Sequence, residues 1–126
     1  MSQNRVALIT GLGPGLGAAL ARRFAREGFA VGLVARHAAF SDDLAREIST
    51  AGGRAIAVVA DISQPAEVKS AVERGRAELG PISVLLHNAS SSASDGLLAM
   101  TVEDFESLWR IATLGDFVCA QETAHN

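Results

Sequence analysis

Tyrosine is absent from this 126-residue chain, and lysine, cysteine and tryptophan each occur once. Without a second cysteine, Cys119 has no internal disulfide partner; it reads as a small buried hydrophobe rather than a nucleophile, because no histidine partner for it can be identified. Aromatics make up only 5% of residues, which suits close contacts between helices and a sheet through small side chains. No apolar stretch approaches the ~20 residues that span a bilayer. The N-terminus runs straight into a strand without the apolar core and small-residue cleavage site of a secretory signal, so a cytoplasmic location is the default expectation. A net charge of −3 with no basic run excludes a nucleic-acid or membrane footprint.

What is present is 48% hydrophobic, in short blocks that alternate between two periodicities. Val6–Ile9, Ala30–Ala35, Ala55–Ala60 and Ile82–Leu86 read as strands buried on both faces. Between them run segments at helical spacing. Leu16, Ala19, Leu20 and Phe24 mark the first, Leu44, Ile48 and Ala51 the second, and Val68, Ala71, Val72 and Leu79 the third. Ser63 is the expected N-cap of the third, with Pro65 in its first turn. A fourth helix should begin at Thr101, where Asp104 stands at capping-box spacing. Parallel strands cannot be joined by tight hairpins, so this alternation predicts an α/β fold. The expectation is one domain over 1–126, a Rossmann-like doubly wound parallel sheet of four strands and four helices.

The segment Gly11-Leu12-Gly13-Pro14-Gly15-Leu16-Gly17 lies between the first strand and the first helix, where a phosphate-binding turn must lie to use a helix N-terminus. Glycines there allow a tight turn, close approach of backbone to pyrophosphate, and close packing of helix on strand. No Gly-Lys-Ser/Thr closes the segment, which argues against ATP or GTP. At the end of the second strand, an acidic residue would hydrogen-bond the ribose hydroxyl of NAD. Ala35 and Arg36 stand there instead, and an arginine pairs with a 2′-phosphate, so NADP(H) is favoured over NAD(H). His37 is counted with Arg36.

Thr10-Gly11-Leu12-Gly13-Pro14-Gly15-Leu16-Gly17 resembles the Thr-Gly-x-x-x-Gly-x-Gly signature of classical short-chain dehydrogenases/reductases, and the similarity runs from Arg5 to about Gln121. His87-Asn88-Ala89-Ser90 is similar to the family's Asn-Asn-Ala-Gly segment, with Ser90 in place of its glycine. The resemblance implies dinucleotide binding at Thr10, Gly11, Gly13, Gly15, Leu16, Gly17, Arg36, His37, Asp61, Ile62, Asn88 and Ala89, with Asp61 meeting the adenine ring. No metal ligands are expected.

The same resemblance identifies what is missing. The family uses a tyrosine, assisted by a lysine and a serine, for proton transfer; this chain has no tyrosine, and Lys69 sits in the third helix. Ala112 stands where the family's asparagine is expected, and the serines at 90, 91, 92 and 94 have no identifiable base beside them. The expectation is an NADP(H)-binding oxidoreductase-family chain with no catalytic residues of its own, whether a fragment, a truncation or a short gene product. The alternative is a non-enzymatic NADP(H)-binding or oligomer-forming module; a sugar-nucleotide epimerase or methyltransferase fits the glycine spacing and His87–Ser90 less well. Phe105, Leu108, Trp109, Ile111, Leu114, Phe117 and Val118 make the last helix apolar around much of its circumference, so a homo-oligomer, or a missing C-terminal half to cover it, is expected.

Overall fold

The molecule is represented by a computed structural model that describes residues 5–91 and 96–125. Its strands are β1 (Val6–Thr10), β2 (Ala30–Ala35), β3 (Arg54–Val59) and β4 (Val84–His87). They form one parallel sheet in the order β3-β2-β1-β4, with Thr10 opposite both Val34 and His87. Because the chain moves outward from β1 to β2 and β3 and then crosses to the other side for β4, the order switches beside β1. Ligand crevices of open α/β sheets lie at the carboxyl ends of strands at such a switch.

The helices are α1 (Leu16–Arg26), α2 (Ala38–Thr50), α3 (Pro65–Leu79), α4 (Val102–Trp109) and α5 (Gly115–Ala124), the last two joined by a π-helical segment (Arg110–Leu114). Alternation along β1 sends Ala7 and Ile9 to one face, where they pack with Ala18 and Ala21 of α1 and Leu44 and Ile48 of α2. Val6 and Leu8 point to the other face, among Val68, Ala71, Val72 and Leu79 of α3 and Val118 and Cys119 of α5. The sheet is therefore doubly wound, as the alternation of periodicities predicts. Cys119 is buried in that second core, and burial there raises its thiol pKa to about 11, with Asp116 adding to the shift.

Three local readings need correction. Leu16 is 63% exposed and Ala19 is also on the solvent side; Gly17, Ala18 and Ala21 form the buried stripe of α1, because the helix lies so close to the strand that small residues fill the contact. Ser63 does not cap α3. Gln64 holds the N-cap position without a side-chain cap, and Ser63 turns back to donate through its N–H (3.0 Å) and hydroxyl (2.7 Å) to Asp61 Oδ1. The last helix is continuous in direction but contains the π turn, whose one extra residue leaves no mark on a 3.6-residue pattern.

Thr101 caps α4 as expected, its Oγ1 accepting from the Asp104 N–H at 3.1 Å. Further along, Gly115, Val118, Cys119 and Thr123 are buried, while Phe105 and Phe117 remain 63% and 60% exposed. The helix thus has one covered side and one bare apolar side. Among the described residues β4 pairs only with β1 and forms an edge of the sheet.

Candidate functional site

The carboxyl ends of β1, β2 and β3 open into a cleft of about 520 Å³. The turn after β1 contributes Gly11, Leu12, Gly13 and Pro14 to its wall, the end of β2 contributes Arg36 and His37, and the end of β3 contributes Asp61 and Ile62. Ala89, Ser90 and Ser91 after β4 and Ile111 of the π segment close the remaining side. The topology therefore brings together residues widely separated in sequence. Seven of the twelve expected binding residues line this one cleft: Gly11, Gly13, Arg36, His37, Asp61, Ile62 and Ala89.

The other five have distinct places. Gly15 and Leu16 are exposed at the start of α1, Gly15 being its N-cap. Thr10, Gly17 and Asn88 lie beneath or beside the wall and hold it in position. Thr10 is fully buried, and its Oγ1 accepts from the N–H groups of Asn88 and Ala89, each at 3.2 Å. Asn88 Nδ2 donates to the Gly11 carbonyl at 3.0 Å. The end of β1 and the segment after β4 are thereby tied to each other on both sides.

The glycines of the turn divide into two pairs. Gly11 has φ +77°, and a Cβ there would lie 2.5 Å from Ala89 N; a Cβ on Gly17 would lie 2.2 Å from the Gly11 carbonyl oxygen. These two are required by packing. A Cβ on Gly13 or Gly15 would meet nothing within 4 Å, so the space in front of them is open to a ligand. An anion placed there would face backbone N–H groups and the positive end of α1, whose first turn holds no acidic residue.

The other end of the cleft carries a side chain of each charge. Arg36 supplies a cation where no carboxylate stands on β2. Asp61 supplies an acceptor: the Ser63 hydroxyl holds its carboxyl below the usual range, aided by the Ser63 N–H and the Arg36 charge and opposed by partial burial. Sequence reasoning did not anticipate Ala39 and Phe40, the first turn of α2, or Ile111. Helical spacing could have placed Phe40 near Arg36; Ile111 stands among the apolar positions of the last helix, and the sequence does not say which of them faces the cleft. Ser92 and Ser94, also considered above, lie outside the described residues. Among those described, no group of three or more His, Cys, Asp or Glu could hold a metal ion, and no helix is long and apolar enough to cross a membrane.

Replacing Thr10 with Val keeps the shape of the side chain but removes the acceptor for two backbone N–H groups. The expected cost is about 1–3 kcal/mol, because each stranded amide loses its partner without regaining water. Urea denaturation measures it, and a change below ~0.5 kcal/mol would contradict this role.

A family model described as short chain dehydrogenase matches residues 5–126. A short-chain dehydrogenase/reductase of Armillaria gallica is 37% identical over 122 residues, covering 94% of this chain and 46% of that protein. The crystal structure of a dehydrogenase/reductase from Sinorhizobium meliloti superposes with a TM-score of 0.92 at 32% identity, over 97% of this chain and 49% of that one. A blue fluorescent protein from a metagenomic library, solved in complex with NADPH, superposes with a TM-score of 0.89 at 34% identity, over 95% and 50% of the two chains. This chain thus spans about half the length of the relatives it matches. With the glycine turn, the doubly wound sheet and the whole described sequence in agreement, the chain belongs to the short-chain dehydrogenase family of oxidoreductases, of which it represents the N-terminal half.

Proposed function

We propose that this chain is the dinucleotide-binding part of an NADP(H)-dependent oxidoreductase. The observation that carries the reading is the convergence of the glycine turn, Arg36–His37 and Asp61–Ile62 on one cleft. Gly13 and Gly15 leave room for the pyrophosphate, Arg36 pairs with the 2′-phosphate with His37 beside it, and Asp61 accepts from the adenine amino group while Ile62 packs on the ring. Thr10, Gly11, Gly17, Asn88 and Ala89 keep the wall in shape, and Leu16 begins the helix whose dipole meets the phosphates. A bound nicotinamide supplies the hydride; proton transfer to or from the substrate oxygen requires a further group.

The sequence as it stands offers no tyrosine for that proton transfer. We therefore expect binding without turnover: the 126-residue chain should bind NADPH yet oxidise it no faster than buffer when carbonyl substrates are added. Absorbance at the nicotinamide band measures this, and robust, substrate-dependent oxidation would contradict it. The bare apolar side of the last helix beside this cleft favours a second reading, a non-catalytic NADP(H)-binding or oligomer-forming module. Cellular placement is proposed to be cytoplasmic.

The bare side of the last helix gives the reading of the assembly. Val102, Phe105, Trp109 and Phe117 are exposed in succession along it, and an apolar stripe of that length is costly to leave in water. We expect the chain to self-associate unless a C-terminal half covers it. Phe117→Glu should shift the sedimentation distribution towards monomer, and an unmodified chain that sediments as monodisperse monomer would overturn the expectation.

A further inference from the structure

Below the cleft, one side chain departs from the family segment and touches the bond network that shapes the wall. His87 ends β4 opposite Thr10, and its Nδ1 lies 3.1 Å from Thr10 Oγ1. A hydroxyl has one proton to give and two lone pairs to receive with. Both lone pairs of Thr10 are used, by the N–H groups of Asn88 and Ala89. The third contact must then be the Thr10 proton donated to His87 Nδ1. That assignment fixes the imidazole as the tautomer with its proton on Nε2, an atom that is buried without a partner among the described residues.

The geometry points to His87 as a positioning residue: by accepting the Thr10 proton, its neutral ring sets the polarity of the hydrogen bonds that tie the glycine turn to the rim at Asn88 and Ala89. A protonated ring would present a donor at Nδ1. Thr10 has no lone pair left to receive it, so one of the two backbone N–H groups would have to be displaced. Dinucleotide affinity should then fall when the acceptor at this position is removed, so far as the inference rests on the dinucleotide reading above. Asparagine, the residue in the family segment, offers a non-titrating oxygen at the position of Nδ1; leucine offers nothing.

The test compares the unmodified chain with His87→Asn and His87→Leu. Long-range proton–nitrogen NMR should show a bare Nδ1 and a protonated Nε2 near neutral pH, and the opposite tautomer would overturn the proposal. NADP+ affinity of His87→Asn should stay within about twofold of the unmodified chain near neutral pH, because its side-chain oxygen still accepts the Thr10 proton. His87→Leu should bind several-fold more weakly than either near neutral pH. A leucine variant that binds like the unmodified chain, or an asparagine variant that binds as weakly as the leucine one, would overturn the proposal. If none of the three binds NADP+, the dinucleotide reading fails, and amide-exchange protection of Asn88 and Ala89 decides the role of His87. Protection lost in the leucine variant and kept in the asparagine variant would support it; equal protection in all three would overturn it.

Discussion

Replacing Arg36 by Ala is expected to weaken NADPH binding about 10- to 100-fold while leaving NADH binding nearly unchanged. A guanidinium meets a 2′-phosphate through charge-assisted hydrogen bonds, each of about 1.5–3 kcal/mol, and NADH has no phosphate there to lose them. Arg36 is the residue for this because it follows directly on β2 and lines the cleft with His37 and Asp61. Ala35 before it brings no carboxylate to repel the phosphate. Arg36→Glu should go further and reverse the preference, since an acidic side chain at the end of the second strand accepts from the ribose hydroxyl of NAD. Competition titrations with both cofactors measure the change, and equal losses for NADPH and NADH would deny Arg36 its role.

The second large effect belongs to the glycine turn, and it differs from glycine to glycine. A methyl on Gly17 would sit 2.2 Å from the Gly11 carbonyl oxygen, and one on Gly11 would sit 2.5 Å from Ala89 N in a backbone with φ +77°. The obstructing atoms are backbone, so no side chain can swing aside, and the turn must move away from β4 or the helix from the strand. Gly11→Ala and Gly17→Ala are each expected to cost about 3 kcal/mol, at the upper end for overpacking, and to lower the melting temperature by about 10 °C or more. Gly13→Ala meets nothing within 4 Å and should leave the melting temperature almost unchanged. It should still weaken dinucleotide binding, because its methyl occupies the space left for the pyrophosphate. Thermal denaturation monitored by circular dichroism separates the two kinds of glycine, and a uniform effect across the three would contradict the division.

Much of this was legible in the sequence because two periodicities and one turn carry the fold. The buried runs at Val6–Ile9 and Ala30–Ala35 are short and apolar on both faces, which only a strand covered by helices on two sides explains. Arg36, Asp61 and the turn could be placed together because parallel strands present their carboxyl ends on one edge. The sequence was silent where a residue's role depends on an atom far along the chain. Thr10 reads as part of a binding motif, yet it lies beneath the cleft, because its hydroxyl is claimed by amides 78 and 79 residues away. Ser63 reads as a cap, but the nearby Asp61 carboxylate competes for its hydroxyl and N–H and wins both. Ile111 lines the cleft from the π segment, and its apolar character alone does not distinguish it from its apolar neighbours on that helix.

Calorimetric titration of the unmodified chain with NADPH and with NADH tests the central claim most directly. NADPH should bind about 10- to 100-fold more tightly than NADH, the margin set by the pairing of Arg36 with the 2′-phosphate. Equal affinity for the two cofactors, or tighter binding of NADH, would contradict it.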